Sequence, residues 1–109
     1  MAAPTLTNDP VLVRFRRALD EVYGIQRIER VVLFGSRARG DARPDSDYDI
    51  AVFINDPGEL WDDLGNLSRI TTAILNDTGA VISAKPFPAS TYSERTPLMH
   101  EIRVDGLDL

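Results

Sequence analysis

Gly35-Ser36 and Asp47-Tyr48-Asp49, separated by ten residues, are the groups of this chain whose types and spacing could do chemistry. Carboxylates at i and i+2 on a strand project from one face, about 6–7 Å apart. Two such side chains can converge on one divalent cation or bridge two. Mg²⁺ favours one or two carboxylates, with phosphate oxygens and water completing its shell. A glycine allows positive φ and close approach by a ligand. Ser36 adds a hydroxyl and an N–H, and a helical turn after it would aim more N–H groups at phosphate. Together the two elements suit a Mg²⁺–triphosphate site. Each alone has a plainer reading, a solvated acidic pair in one case and an ordinary turn in the other.

The flanking sequence supplies the elements that would position these groups. Arg30 to Phe34 is short, apolar and rich in β-branched residues, the pattern of a strand buried on both faces. Gly35-Ser36 breaks it, Arg37 to Gly40 can form one helical turn, and Asp41 to Ser46 reads as a loop around Pro44. Tyr48 to Ile54 is a second strand, with Asp47 and Asp49 sharing a face. Upstream, Asn8 or Asp9 before Pro10 is a helix start, and Val11, Phe15, Leu19 and Val22 predict a helix over Val11 to Tyr23. Met1 to Thr7 reads as a loose tail. Leu60, Leu64, Leu67, Ile70, Ile74 and Leu75 predict a second long helix, Glu59 to Asn76, stopped at Gly79. Ala80 to Lys85 is a third strand, ended by Pro86-Phe87-Pro88, and Pro97 to Val104 can hold a last helix or irregular segment. The order α-β-β-α-β-α predicts a small α/β (α+β) domain over residues 1–109, with a mixed sheet and helices on one side. Phe87, Tyr92, Leu98, Met99, Ile102, Val104 and Leu107 make the last third apolar, either to close the sheet or to meet a partner.

Composition narrows the classes. The length of 109 residues suits one domain, and 43% hydrophobic residues can form a core. A net charge of −5 argues against sequence-independent binding to nucleic acid. Basic residues nevertheless cluster at Arg14, Arg16, Arg17, Arg27, Arg30, Arg37, Arg39 and Arg43, and Lys85 is the single lysine. Arginine forks suit triphosphate or carboxylate, although solvated helix and loop charges would look the same. Without cysteine there is no disulfide, thiolate nucleophile or Cys-based zinc site. No apolar run approaches the ~20 residues of a membrane span, and no secretory signal is visible, so a cytoplasmic protein is expected.

Spacing, strand placement and intervening arginines agree, and here the sequence resembles the minimal nucleotidyltransferases of the DNA polymerase beta superfamily. The resemblance rests on Leu33-Phe34-Gly35-Ser36-Arg37-Ala38-Arg39-Gly40 and Ser46-Asp47-Tyr48-Asp49-Ile50-Ala51-Val52. It implies a mixed sheet flanked by helices and transfer of a nucleoside monophosphate from an NTP, expected to be ATP, to an acceptor hydroxyl. It implies that Gly35 and Ser36 hold the β,γ-phosphates and that Arg37 or Arg39 steadies phosphate charge. Asp47 and Asp49 would bind Mg²⁺, expected as a two-metal site. Small members of the family resemble the antitoxin half of toxin–antitoxin pairs. The resemblance therefore implies a HEPN-type toxin as partner, either adenylylated on a tyrosine or masked by binding. Oligomeric state is left open.

One departure matters. The resemblance implies a third carboxylate on a later strand, but Ala80 to Lys85 holds no acid, and Ile82 or Ser83 stands near the expected position. Asp77, Glu94 and Glu101 are the nearest acids in sequence and His100 is the only histidine, all with solvated or structural readings beside the catalytic one. Three functions stay open: a nucleotidyltransferase that modifies a protein, a catalytically impaired binding module that neutralises a partner by complex formation, or a substrate- or nucleotide-binding subunit of a larger transferase completed by another chain.

Overall fold

A computed structural model describes residues 9–109. The tail expected over Met1 to Thr7 and the alternative cap Asn8 lie outside the described residues. Asp9 caps the first helix: its backbone is extended and its Oδ1 accepts the Val11 N–H at 2.9 Å. Helix α1 runs Pro10–Tyr23 and buries Leu12, Phe15, Leu19 and Tyr23 along one stripe. A 3₁₀ turn, Ile25–Arg27, leads into β1, Ile28–Phe34. The single-turn helix α2 is Ser36–Arg39, and β2 is Tyr48–Ile54, as the alternation predicts. Helix α3 spans Leu60–Thr78, with Glu59 as its cap and Gly79 ending it at φ 79. Strand β3 is Ile82–Pro88, helix α4 is Pro97–Asp105 and a last strand, β4, is Leu107–Asp108.

The four strands lie in the order β3-β2-β1-β4, with β2 parallel to β3 and the other pairs antiparallel. Side-chain alternation splits the core in two. Val31, Leu33, Tyr48, Ile50, Val52 and Ile54 pack against α1 and α3. Val32, Phe34, Ala51 and Phe53 pack against Met99 and Ile102 of α4, with Phe87, Tyr92 and Leu98 beside them. Helices therefore cover both faces, not the single face expected. The reason is legible in hindsight: β1 and β2 carry apolar side chains on both sides, and a face left bare would expose them. The apolar C-terminal third closes the sheet, leaving Val104 exposed.

Two further differences have local causes. Strand β3 runs on through Pro86 and Pro88, which pair in register with Val52 and Ile54. It is an edge strand, where a missing N–H can face outward at no cost to the ladder. Strand β4 escaped notice because it is two residues long; it is held by Arg30, which reaches Asp108 at 3.0 Å and stacks 4.2 Å over Tyr92. Gly106 lets the end of α4 press onto β1, since a Cβ there would collide with the Ile102 carbonyl and Val32.

One buried polar contact joins α1 to α3. The Tyr23 hydroxyl donates to Asp63 Oδ1 at 2.9 Å, and Asp63 is only 4% exposed. Burial pushes the Tyr23 hydroxyl pKa up; the hydrogen bond from Asn66 opposes this, and Asp63 adds to it. Tyr23→Phe leaves the buried carboxylate without that donor and is expected to lose about 1–3 kcal/mol in urea unfolding at neutral pH. The unfolded tyrosine ionises near 10.0 while the folded one keeps its proton, so wild-type stability falls as pH rises above that value. The variant should fall less steeply there. Equal stability of the two proteins at neutral pH would show that the pair contributes nothing.

Candidate functional site

The site is built by the antiparallel register of β1 and β2. Phe34, the last residue of β1, pairs with Asp49 near the start of β2. Gly35 therefore turns directly beside the Asp49 carboxylate. Its backbone sits at φ 75, ψ −156, a region essentially closed to side-chain-bearing residues. A Cβ at this position would lie 2.5 Å from Asp49 Oδ2. Both the dihedral angles and the space demand glycine, and the space is taken by the carboxylate.

Ser36 opens α2, the half-buried turn expected after Gly35. The Gly35 carbonyl accepts from Ala38 and Arg39, and the Ser36 carbonyl from Gly40 and Asp41. The N–H groups of Ser36 and Arg37 lead this first turn, where a helix has no internal acceptors to offer. With the Ser36 hydroxyl they form a small donor set beside the Asp49 carboxylate, suited to phosphate oxygens.

Asp47 is exposed and stands one residue before β2, whereas Asp49 is half-buried within it. Among the described residues neither side chain accepts a hydrogen bond or joins an ion pair. No group of three or more His, Cys, Asp or Glu able to hold a metal occurs among the described residues. Two carboxylates fit Mg²⁺ that shares its shell with phosphate and water. They offer less than a two-metal centre needs from protein alone.

In the parallel β2/β3 ladder Ser83 pairs with Asp49, so the two side chains share a face. A carboxylate there would complete a cluster; a serine hydroxyl brings no charge. The other acids are elsewhere engaged or apart. Asp77 bonds Arg14 at 2.6 Å, and Glu101 approaches Arg39 at 3.7 Å from α4. Glu94 and His100 are exposed on the α4 side of the sheet.

The two arginines of the motif differ. Arg39 is exposed on α2, 3.5 Å from Asp41 and 3.7 Å from Glu101. Arg37 is engaged: Nε donates to the Ser46 carbonyl at 2.9 Å and Nη2 to the Pro44 carbonyl at 3.0 Å. Its guanidinium also lies 3.9 Å over the Tyr48 ring. Tyr48 points to the α1 face, where its hydroxyl donates to Asp9 Oδ2 at 2.9 Å. Burial holds this hydroxyl pKa above its ordinary value, the Asp9 bond and charge add to that, and Arg37 opposes it. Sequence reasoning found Asp9 as a cap but missed its second oxygen and the role of Tyr48. The available signal was an aromatic residue between two acids, placed by alternation on the apolar side.

Comparison with known proteins agrees with this geometry. The nucleotidyltransferase domain family matches residues 12–88, more than half of the chain. A solved structure of a candidate minimal nucleotidyltransferase is similar over 100% of this chain and 97% of its own, with a TM-score of 0.58 and 24% identity. A second, a candidate nucleotidyltransferase from Sulfolobus solfataricus, is similar over 90% of this chain and 80% of its own, with a TM-score of 0.57 and 18% identity. At these identities the two structures speak for the fold. No curated protein matches the sequence. No described helix is long and apolar enough to cross a membrane.

The close approach of Gly35 and Asp49 yields a double-mutant test. Gly35→Ala is expected to cost about 1–3 kcal/mol, from the strained dihedral and the displaced carboxylate. The cost should shrink in an Asp49→Ala background, where the oxygen it meets is gone. Equal costs in both backgrounds, measured by denaturant unfolding, would mean the two residues do not press on each other.

Proposed function

Because the chain belongs to the nucleotidyltransferase domain family, we propose that it is a Mg²⁺-dependent nucleotidyltransferase that moves AMP from ATP to a hydroxyl of a protein acceptor. The single observation that carries this reading is the Asp49 carboxylate seated against Gly35, with Ser36 and the first turn of α2 beside it. In this reading the N–H groups and hydroxyl at Ser36 bind the β,γ-phosphates, Arg39 closes on their outer charge, and Asp47 and Asp49 hold the metal. Mg²⁺, when bound, would neutralise phosphate charge and favour the ionised form of the attacking hydroxyl. The acceptor oxygen forms a bond to the α-phosphorus as the bond from that phosphorus to the bridging oxygen breaks. Pyrophosphate leaves, and the hydroxyl proton passes to solvent. The chain's own contribution is to orient the triphosphate for in-line displacement.

The acceptor we propose is a tyrosine of a HEPN-type toxin, which makes this chain the antitoxin of a cytoplasmic pair. The net charge of −5 supports a protein acceptor over nucleic acid. A second reading is favoured by a specific observation. Ser83 stands beside Asp49 where a third carboxylate would help deprotonate the acceptor. In that reading turnover is impaired, the nucleotide site serves regulation, and the chain neutralises its partner by binding it.

Transfer of label from α-labelled ATP to protein, with Mg²⁺ and an extract containing the toxin, tests the first reading. Asp47→Asn and Asp49→Asn should each lower it by about 100-fold or more, since a residue that holds the metal directly should count for at least as much as the outer partners whose loss costs about 10–100-fold. Undiminished transfer in both variants would overturn it. No transfer by wild type, with full protection of toxin-expressing cells by the double variant, would establish the second reading instead.

A further inference from the structure

Asp47 lies between two residues that are held by one guanidinium. Arg37 Nε takes the carbonyl of Ser46, immediately before Asp47, and the planar face of the same group covers the ring of Tyr48, immediately after it. Nη2 takes the Pro44 carbonyl and so fixes the loop two residues further back. The loop is closed on itself as well, since Ser46 N–H reaches the Arg43 carbonyl at 3.0 Å and Ser46 Oγ accepts from Arg43 N–H at 2.9 Å. Tyr48 is in turn anchored at its hydroxyl by Asp9 Oδ2, while Asp9 Oδ1 caps α1. A continuous chain of contacts therefore runs from the start of α1 through Asp9, Tyr48 and Arg37 to the loop that carries Asp47. Two directed hydrogen bonds and a stacked face use the shape of a guanidinium, and an ammonium could not make all three.

We propose that Arg37 is a positioning residue: it holds the Ser46 carbonyl before Asp47 and the Tyr48 ring after it and so sets the first carboxylate of the pair, and it is not a ligand for phosphate. Arg39, two residues on and exposed, pairs with Asp41 and Glu101 and is left as the motif's candidate cation for phosphate. This deepens the reading above and rests on it wherever metal binding is concerned. The clamp itself rests on the structure alone.

The experiment uses Mn²⁺ as the probe, titrated without nucleotide and followed by electron paramagnetic resonance, together with amide hydrogen exchange of the segment 41–47. The proteins are the full chain, Arg37→Ala and Arg37→Lys. Arg37→Ala should weaken Mn²⁺ binding about tenfold, the scale of a lost outer-shell partner, and should speed exchange in the segment. Arg37→Lys should rescue neither. Unchanged Mn²⁺ affinity with wild-type exchange in Arg37→Ala would overturn the proposal. So would rescue by lysine, the behaviour of a point charge on phosphate. If Arg37→Ala does not fold, exchange in Arg37→Lys decides: faster than wild type supports the clamp, and wild-type rates overturn it. If the wild type itself binds no Mn²⁺, the metal-dependent reading fails, while the exchange rates still decide for or against the clamp.

Discussion

The contact between Gly35 and the Asp49 carboxylate is the constraint on which the site depends. It exists because β1 and β2 pair with Phe34 opposite Asp49. A slip of one residue would turn Asp49 to the α1 side and place Ile50 or Tyr48 beside the turn. The register is in turn fixed by burial on both faces. Tyr48, Ile50, Val52 and Ile54 fit only against α1 and α3, and Ala51 and Phe53 only against α4. The core thus does more than stabilise the domain: it sets the position of one carboxylate relative to one glycine.

The arginines show how an acidic chain uses its positive charge. Arg14 pairs with Asp77, Arg30 ties β1 to β4, and Arg103 holds the carbonyls of Tyr92 and Glu94. Arg37 holds the loop before Asp47. Arg14, Arg30 and Arg37 of the cluster seen in the sequence are therefore ties between elements and not parts of a continuous basic surface. Exposed pairs such as Arg14–Asp77 add little stability. The half-buried guanidinium of Arg37, bonded to carbonyls and stacked on an aromatic ring, constrains geometry more tightly.

Much of this was legible in the sequence, and the losses have physical causes. The Gly-Ser turn, the D-x-D pair, strand β2 and the cores of α1 and α3 follow from local periodicity and turn chemistry. Coverage of the second face did not, because α4 is short and its apolar residues read equally well as a partner surface. The run of β3 through two prolines depends on its being an edge, which only the strand order reveals. The Asp9–Tyr48 bond joins residues 39 apart in sequence. The two carbonyl acceptors of Arg37 lie in a loop whose path no local pattern encodes. The lack of an acid over Ala80 to Lys85 is plain in the sequence, whereas the pairing of Ser83 with Asp49 follows only from the strand register.

The central claim is that Asp47 and Asp49 make nucleotide binding depend on a divalent cation. Calorimetric titration of ATP with and without Mg²⁺, into wild type and the Asp47→Asn/Asp49→Asn double variant, tests it most directly. Binding that requires Mg²⁺ in the wild type and is lost in the double variant is the expected result. Binding of equal strength in the double variant, or in the absence of Mg²⁺, would contradict it.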